Sequence, residues 1–146
     1  MEKYLLGGSE ASVVFSYPDL GNEYFEKLKG QNPFDLAGLS SINKAKKITG
    51  YVHNLWKHDG NNIPQNSDPI EIINESKKTL KGFRCVEYSV VASALLWAYG
   101  IPSRVIGLKV KNIETIESGG GHVVIEFWNN EIPKWVMIDV QEGVIQ

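Results

Sequence analysis

Residues 82–108 read GFRCVEYSVVASALLWAYGIPSRVIGL. From Cys85 to Tyr99, the residues Val86, Val90, Val91, Ala92, Ala94, Leu95, Leu96, Trp97 and Ala98 leave almost no polar face. A helix that is apolar all round belongs at the centre of a domain. Gly100 supplies the left-handed residue that closes such a helix, and Pro102 cannot continue it. Beyond it, Arg104 to Val110 alternates as a strand does.

Two further strands are expected downstream, His122 to Trp128 and Lys134 to Val140, separated by Asn129-Asn130-Glu131-Ile132-Pro133. Upstream, Ile42, Ala45, Ile48, Val52 and Trp56 recur at three- and four-residue spacing, predicting a helix with Ser41 as N-cap that ends near His58. Asp68-Pro69 opens another helix, with Ile70, Ile72 and Ile73 as its apolar side and Gly82 as its stop. Asn22 to Lys29 suits a short helix ended by Gly30, and residues 11–17 suit a short strand. Helices followed by an antiparallel meander of at least three strands make an α+β domain, a single one over residues 1–146.

The bulk properties set the bounds. A chain of 146 residues with 42% hydrophobic and 22% charged residues builds its own core without disulfide or metal. A formal charge of −2 and interleaved lysines give no basic field, so nucleic acid is not an expected partner. No run of eighteen apolar residues occurs, and no membrane span is expected. The N-terminal stretch lacks the basic and apolar pattern of a signal peptide, which predicts a cytoplasmic location unless such a peptide was removed.

The single cysteine is where chemistry is expected. A lone cysteine on a buried helix is most often one more small apolar residue. Cys85 differs in standing at a helix N-terminus, where free backbone N–H groups and the helix dipole favour a thiolate. Arg84 adds to that effect and Glu87, in the same turn, opposes it.

A nucleophile also needs a base and an orienting acid. A hairpin centred between Asn130 and Glu131 sets His122 opposite Asp139. Alternation then places His122, Val124, Glu126, Trp128, Trp135, Met137 and Asp139 on one face, and Val123, Ile125, Phe127, Val136, Ile138 and Val140 on the other. A slip of two residues would keep the faces and make the His122–Asp139 contact diagonal. His53 and His58, five apart, do not share a helical face, and no metal is assigned.

The glycine before the cysteine, the helix ending in Gly100-Ile101-Pro102, the Arg104-Val105 strand, the histidine strand and the aspartate strand resemble, in order, the core of the transglutaminase-like superfamily. The resemblance covers residues 42–140. It implies a papain-like core in which the helix starting at the cysteine packs on the sheet. It also implies Cys85 as nucleophile, His122 as base and later acid, and Asp139 as the group holding the imidazole tautomer.

The family often uses a tryptophan donor from before the cysteine, which makes Trp56 an oxyanion candidate beside the Cys85 backbone N–H. Core packing is the competing account of Trp56. Two departures stand out: Val140-Gln141 follows Asp139 where relatives commonly continue Pro-Thr, and Val124 stands where an aromatic is frequent. Only seven residues follow Asp139, which suggests a minimal or truncated version.

The expected function is cysteine-dependent acyl transfer or amide hydrolysis through a thioester, on a peptide or protein amide, with no cofactor. Hydrolysis is favoured, since water is always at hand. The alternatives are a transglutaminase-like binding or structural module without turnover and, more remotely, a small-molecule acyltransferase.

Overall fold

The computed structural model describes residues 21–117 and 119–145, so the strand expected at 11–17 lies outside the described residues. Four helices, α1 (Asn22–Gln31), α2 (Ser41–His53), α3 (Pro69–Thr79) and α4 (Cys85–Ala98), precede an antiparallel sheet. Its strands β1 (Ser103–Lys109), β2 (Gly121–Asn129), β3 (Lys134–Asp139) and β4 (Val144–Ile145) lie in sequence order. The fold is α+β, and β4 adds a fourth strand to the three expected.

Helix α4 sits at the centre, touching α1, α2 and α3 as well as β1 and β2. Its burial follows from its composition: Val91, Ala92, Ala94, Leu95 and Leu96 have no exposed surface. Its end is a Schellman closure, in which Gly100 (φ +72°) donates to the Trp97 carbonyl at 2.9 Å and Ile101 to the Leu96 carbonyl at 2.9 Å. Two polar residues on this buried helix, Ser93 and Trp97, are satisfied by the first strand. Ser93 Oγ lies 2.9 Å from Ser103 Oγ, and the Trp97 indole donates to the Ser103 carbonyl at 2.8 Å.

Helix boundaries differ from expectation where side chains intervene. Ser40, not Ser41, caps α2, its Oγ accepting from the Asn43 N–H at 3.3 Å. The freed Ser41 N–H donates instead to Glu131 in the β2–β3 turn at 2.8 Å, which holds that carboxyl below its usual range. Helix α2 ends at His53 rather than near His58, because the Asn54 side chain donates to the Gly50 carbonyl at 2.7 Å and caps it. Trp56 therefore follows the helix. Helix α3 starts as expected, with Asp68 Oδ1 accepting from Ile70 and Glu71, but Leu80 in a left-handed conformation (φ 57°) stops it. Helix α1 runs through Gly30 to Gln31.

The β2–β3 register is slipped by two residues from the one expected. Ile125 faces Ile138, Phe127 faces Val136 and Trp128 faces Trp135, which centres the hairpin between Glu131 and Ile132. The reason is Pro133. The expected register would place it in the ladder opposite Trp128, where its missing N–H is a defect. Instead Asn129 Oδ1 accepts from the Glu131 and Ile132 N–H groups at 2.9 and 3.3 Å, and Pro133 stays in the turn. The slip preserves parity: Ile125, Phe127, Val136, Ile138 and Val140 are buried in the core, while His122, Glu126, Met137 and Asp139 are half-buried; the exceptions stand at the start of β2, where Val123 is half-buried and Val124 buried.

Gly82 has a different task from the expected one. A Cβ there would lie 1.7 Å from the Lys57 carbonyl oxygen, so only glycine admits the chain after α2 against the chain before Cys85. The Asp59 N–H donates to the Phe83 carbonyl at 2.9 Å and the Asn62 side chain to the Gly82 carbonyl at 2.7 Å, fastening the two segments.

Gly82→Ala should therefore destabilise the domain by about 2 kcal/mol or more, whereas Gly107→Ala, with open space around it, should stay within about 1 kcal/mol of wild type. Urea midpoints measure both, and equal small effects would contradict the close approach.

Candidate active site

Cys85 is the first residue of α4 and half-buried. The turn it opens is fixed by Glu87, which accepts from the Arg84 N–H at 3.0 Å, as the third residue of a helix does when it reaches back to the cap. Glu87 is only 4% exposed, and its carboxylate takes both the Nε and an Nη of Arg84, at 3.2 and 2.6 Å. The hydrogen bond to Glu87 raises the Arg84 guanidinium above its ordinary value. Arg84 and Glu87 thus neutralise each other.

Ser89, one turn further along the same face of α4, donates to the Val123 carbonyl at 3.0 Å. This bond ties the start of α4 to the start of β2. Cys85 precedes Ser89 by about 6 Å along the helix axis, and His122 adjoins Val123.

His122 Nε2 lies 2.6 Å from Asp139 Oδ2, with both side chains partly buried. In the observed register His122 would stand opposite Gln141, so the contact is diagonal, and both side chains reach across it. The other carboxylate oxygen, Oδ1, accepts from the Glu142 N–H at 3.1 Å. With Nε2–H given to the carboxylate, Nδ1 is the nitrogen left to take up a proton. Among the described residues, the hydrogen bonds of this group end at His122 and do not extend to the Cys85 thiol.

Trp56 is a core residue, 8% exposed, its ring edge-on to Phe83 at 5.4 Å and tilted on Tyr88 at 4.9 Å. The competing account of core packing is thus correct as far as the ring goes. Its Nε1, however, is buried without a hydrogen-bond partner. His53 is turned to the Val140 carbonyl, its Nδ1 at 3.1 Å, and so serves to hold the chain just after Asp139.

Two participants are not legible in the sequence: Ser89 and the Glu142 N–H act through contacts only the fold creates.

Tyr88 of α4 donates to the Trp56 carbonyl at 2.8 Å. Burial first, and then the Glu142 carboxylate, push its hydroxyl up to about 12 from 10.0. The folded chain keeps a proton that the unfolded chain releases. The stability this group contributes is therefore complete below about pH 10 and is lost as the pH climbs to about 12. Urea midpoints should fall across that window, with a shallower fall in Tyr88→Phe. Parallel profiles for the two proteins would contradict the assignment.

The geometry has counterparts among known proteins. A family model described as the transglutaminase-like superfamily matches residues 33–140. No curated protein matches the sequence. Among solved structures, one from Cytophaga hutchinsonii, titled a putative cysteine protease, is similar with a TM-score of 0.57 at 18% identity. The match covers 84% of this chain and 37% of that one, so the likeness is one of fold, over little more than a third of that chain's length. With the family model spanning most of its length, from before α2 to the residue after β3, the chain belongs to the transglutaminase-like superfamily.

Proposed function

We propose that the protein is a cysteine-dependent amide hydrolase or acyltransferase with Cys85 as nucleophile, His122 as base and acid, and Asp139 as orienting carboxylate. The observation that carries this reading is the 2.6 Å bond between His122 Nε2 and Asp139, which leaves Nδ1 to serve a nucleophile. The Ser89–Val123 bond supports it, since it holds the Cys85 end of α4 to the His122 end of β2.

The steps follow from these roles. His122 Nδ1 accepts the thiol proton as Cys85 Sγ bonds to the carbonyl carbon of an amide. The tetrahedral oxyanion takes a hydrogen bond from the Cys85 backbone N–H, which no residue of α4 occupies because it lies in the first turn. Trp56, whose Nε1 has no partner, is the second proposed donor. The C–N bond breaks, the amine leaves with the proton from His122, and a thioester remains. Water, or an amine, then attacks the thioester carbon while His122 takes its proton, and the thiol is released with that proton. A peptide or protein amide is the proposed substrate, and hydrolysis the favoured outcome.

A second reading is a transglutaminase-like binding module without turnover. One observation favours it: the hydrogen bonds around His122 stop short of the thiol.

Cys85→Ala should abolish amide hydrolysis and thiol labelling at a structural cost of about 1 to 2 kcal/mol. His122→Ala should lower activity on the order of 100-fold or more, and Asp139→Asn by less, because the imidazole keeps its proton-accepting nitrogen in part of the population. Release of amine from a mixed peptide-amide substrate pool measures all three. Activity retained in Cys85→Ala would remove the catalytic reading and leave the binding module.

A further inference from the structure

The two carboxylate oxygens of Asp139 have separate tasks: Oδ2 lies 2.6 Å from His122 Nε2, and Oδ1 accepts from the Glu142 N–H at 3.1 Å. The last torsion of an aspartate is soft, so a carboxylate free to turn would present either oxygen to His122 or neither. The Glu142 N–H prevents this only while the turn that carries it, residues 140–143, keeps its shape. That turn joins β3 to β4, which pair at Ile138–Ile145 and Asp139–Val144, and β4 is two residues long. Strands in folded domains are usually longer, and so short a ladder braces its turn weakly.

A second brace comes from α2. His53 is the last residue of that helix, whose Ala45, Ile48 and Val52 are fully buried in the core. Its Nδ1 lies 3.1 Å from the Val140 carbonyl at the start of the turn. Its ring stands against Gly143 at the end of the turn, where a Cβ would lie 3.9 Å from Nδ1 and Cε1. A carbonyl only accepts, so Nδ1 of His53 carries the proton. His122 has the opposite tautomer, its Nε2–H given to the carboxylate.

We propose that His53 is a positioning residue for the His122–Asp139 pair. By holding the Val140 carbonyl it keeps the 140–143 turn set, so that the Glu142 N–H occupies Asp139 Oδ1 and Oδ2 is left to His122. This deepens the catalytic reading and rests on it for its functional meaning. The geometry itself needs no turnover. It is therefore tested on the full chain carrying Cys85→Ala, where failure of the catalytic reading has no bearing on the result.

The readout is the side-chain nitrogen and N–H signals of the three histidines in that ¹⁵N-labelled parent, at a pH where the imidazoles are neutral. They are assigned by loss of His58 in His58→Gln and of His53 in its own variants. In the parent, His53 should be the Nδ1–H tautomer and His122 the Nε2–H tautomer. His53→Phe keeps a ring without a donor, and solvent exchange of His122 Nε2–H should quicken about tenfold or more as its bond to Asp139 loosens. His53→Asn places a side-chain N–H as far from its Cα as Nδ1, and should return the exchange to within about threefold of the parent. Ile48→Val, a modest core loss on the same helix, should leave it within about threefold as well. If His53→Phe does not fold, His53→Leu carries the same comparison. The proposal is overturned by an Nε2–H tautomer at His53, by exchange unchanged without the donor, by His53→Asn exchanging as fast as His53→Phe, or by Ile48→Val doing so.

Discussion

Everything in the domain is arranged around the need to enclose α4 on all sides. Its apolar residues run around the whole circumference, so three helices cover part of it and the sheet the rest. Its C-terminus is sealed by Gly100 and leads into β1, and at its N-terminus Cys85 is half-buried, as are Val90 and Trp97 further along. The serines on α4 show how such a helix tolerates polarity: Ser89 and Ser93 are buried, and each is bonded to a strand. The same bonds fix how α4 sits along the sheet, and hence how far Cys85 lies from His122.

The second constraint is the crossing of two backbones at Gly82. The chain leaving α2 passes so close to the chain entering α4 that no side chain fits between them. That crossing brings Trp56 onto Phe83 and Tyr88, and it places an indole N–H in the interior with nothing to bond. A native core seldom keeps such a group without a use. The glycine before the cysteine is thus tied to the geometry of the site rather than to the end of α3.

Much of the fold was legible because the strongest signals were local. The all-apolar run of α4, its Gly-Ile-Pro end and the alternation in β1, β2 and β3 each follow from residue types alone, and the sorting of Ile125, Phe127, Val136 and Ile138 to the core follows from parity. What was not legible depended on one side chain choosing between partners. Asn129 folds its amide over the turn and keeps Pro133 out of the ladder, which moves the register by two residues. Asn54 ends α2 early, and Leu80 takes a left-handed conformation normally left to glycine. At the site, the sequence pointed to the residues His122 and Asp139 that the structure joins, although the pairing is diagonal rather than directly opposite. Glu87 was read as an opposing charge on Cys85, since nothing in the sequence shows that Arg84 folds back onto it.

The chemistry proposed for the site reduces to one covalent event, the transfer of an acyl group to the only thiol in the chain. The most direct measurement is the intact mass of the protein, acid-quenched during the first turnovers of an activated ester such as p-nitrophenyl acetate. A single acetyl group should appear on wild type, be released by hydroxylamine as a thioester is, and be absent from Cys85→Ala. A wild-type mass that never changes, or an adduct that persists in Cys85→Ala, would contradict the assignment of Cys85 as the nucleophile.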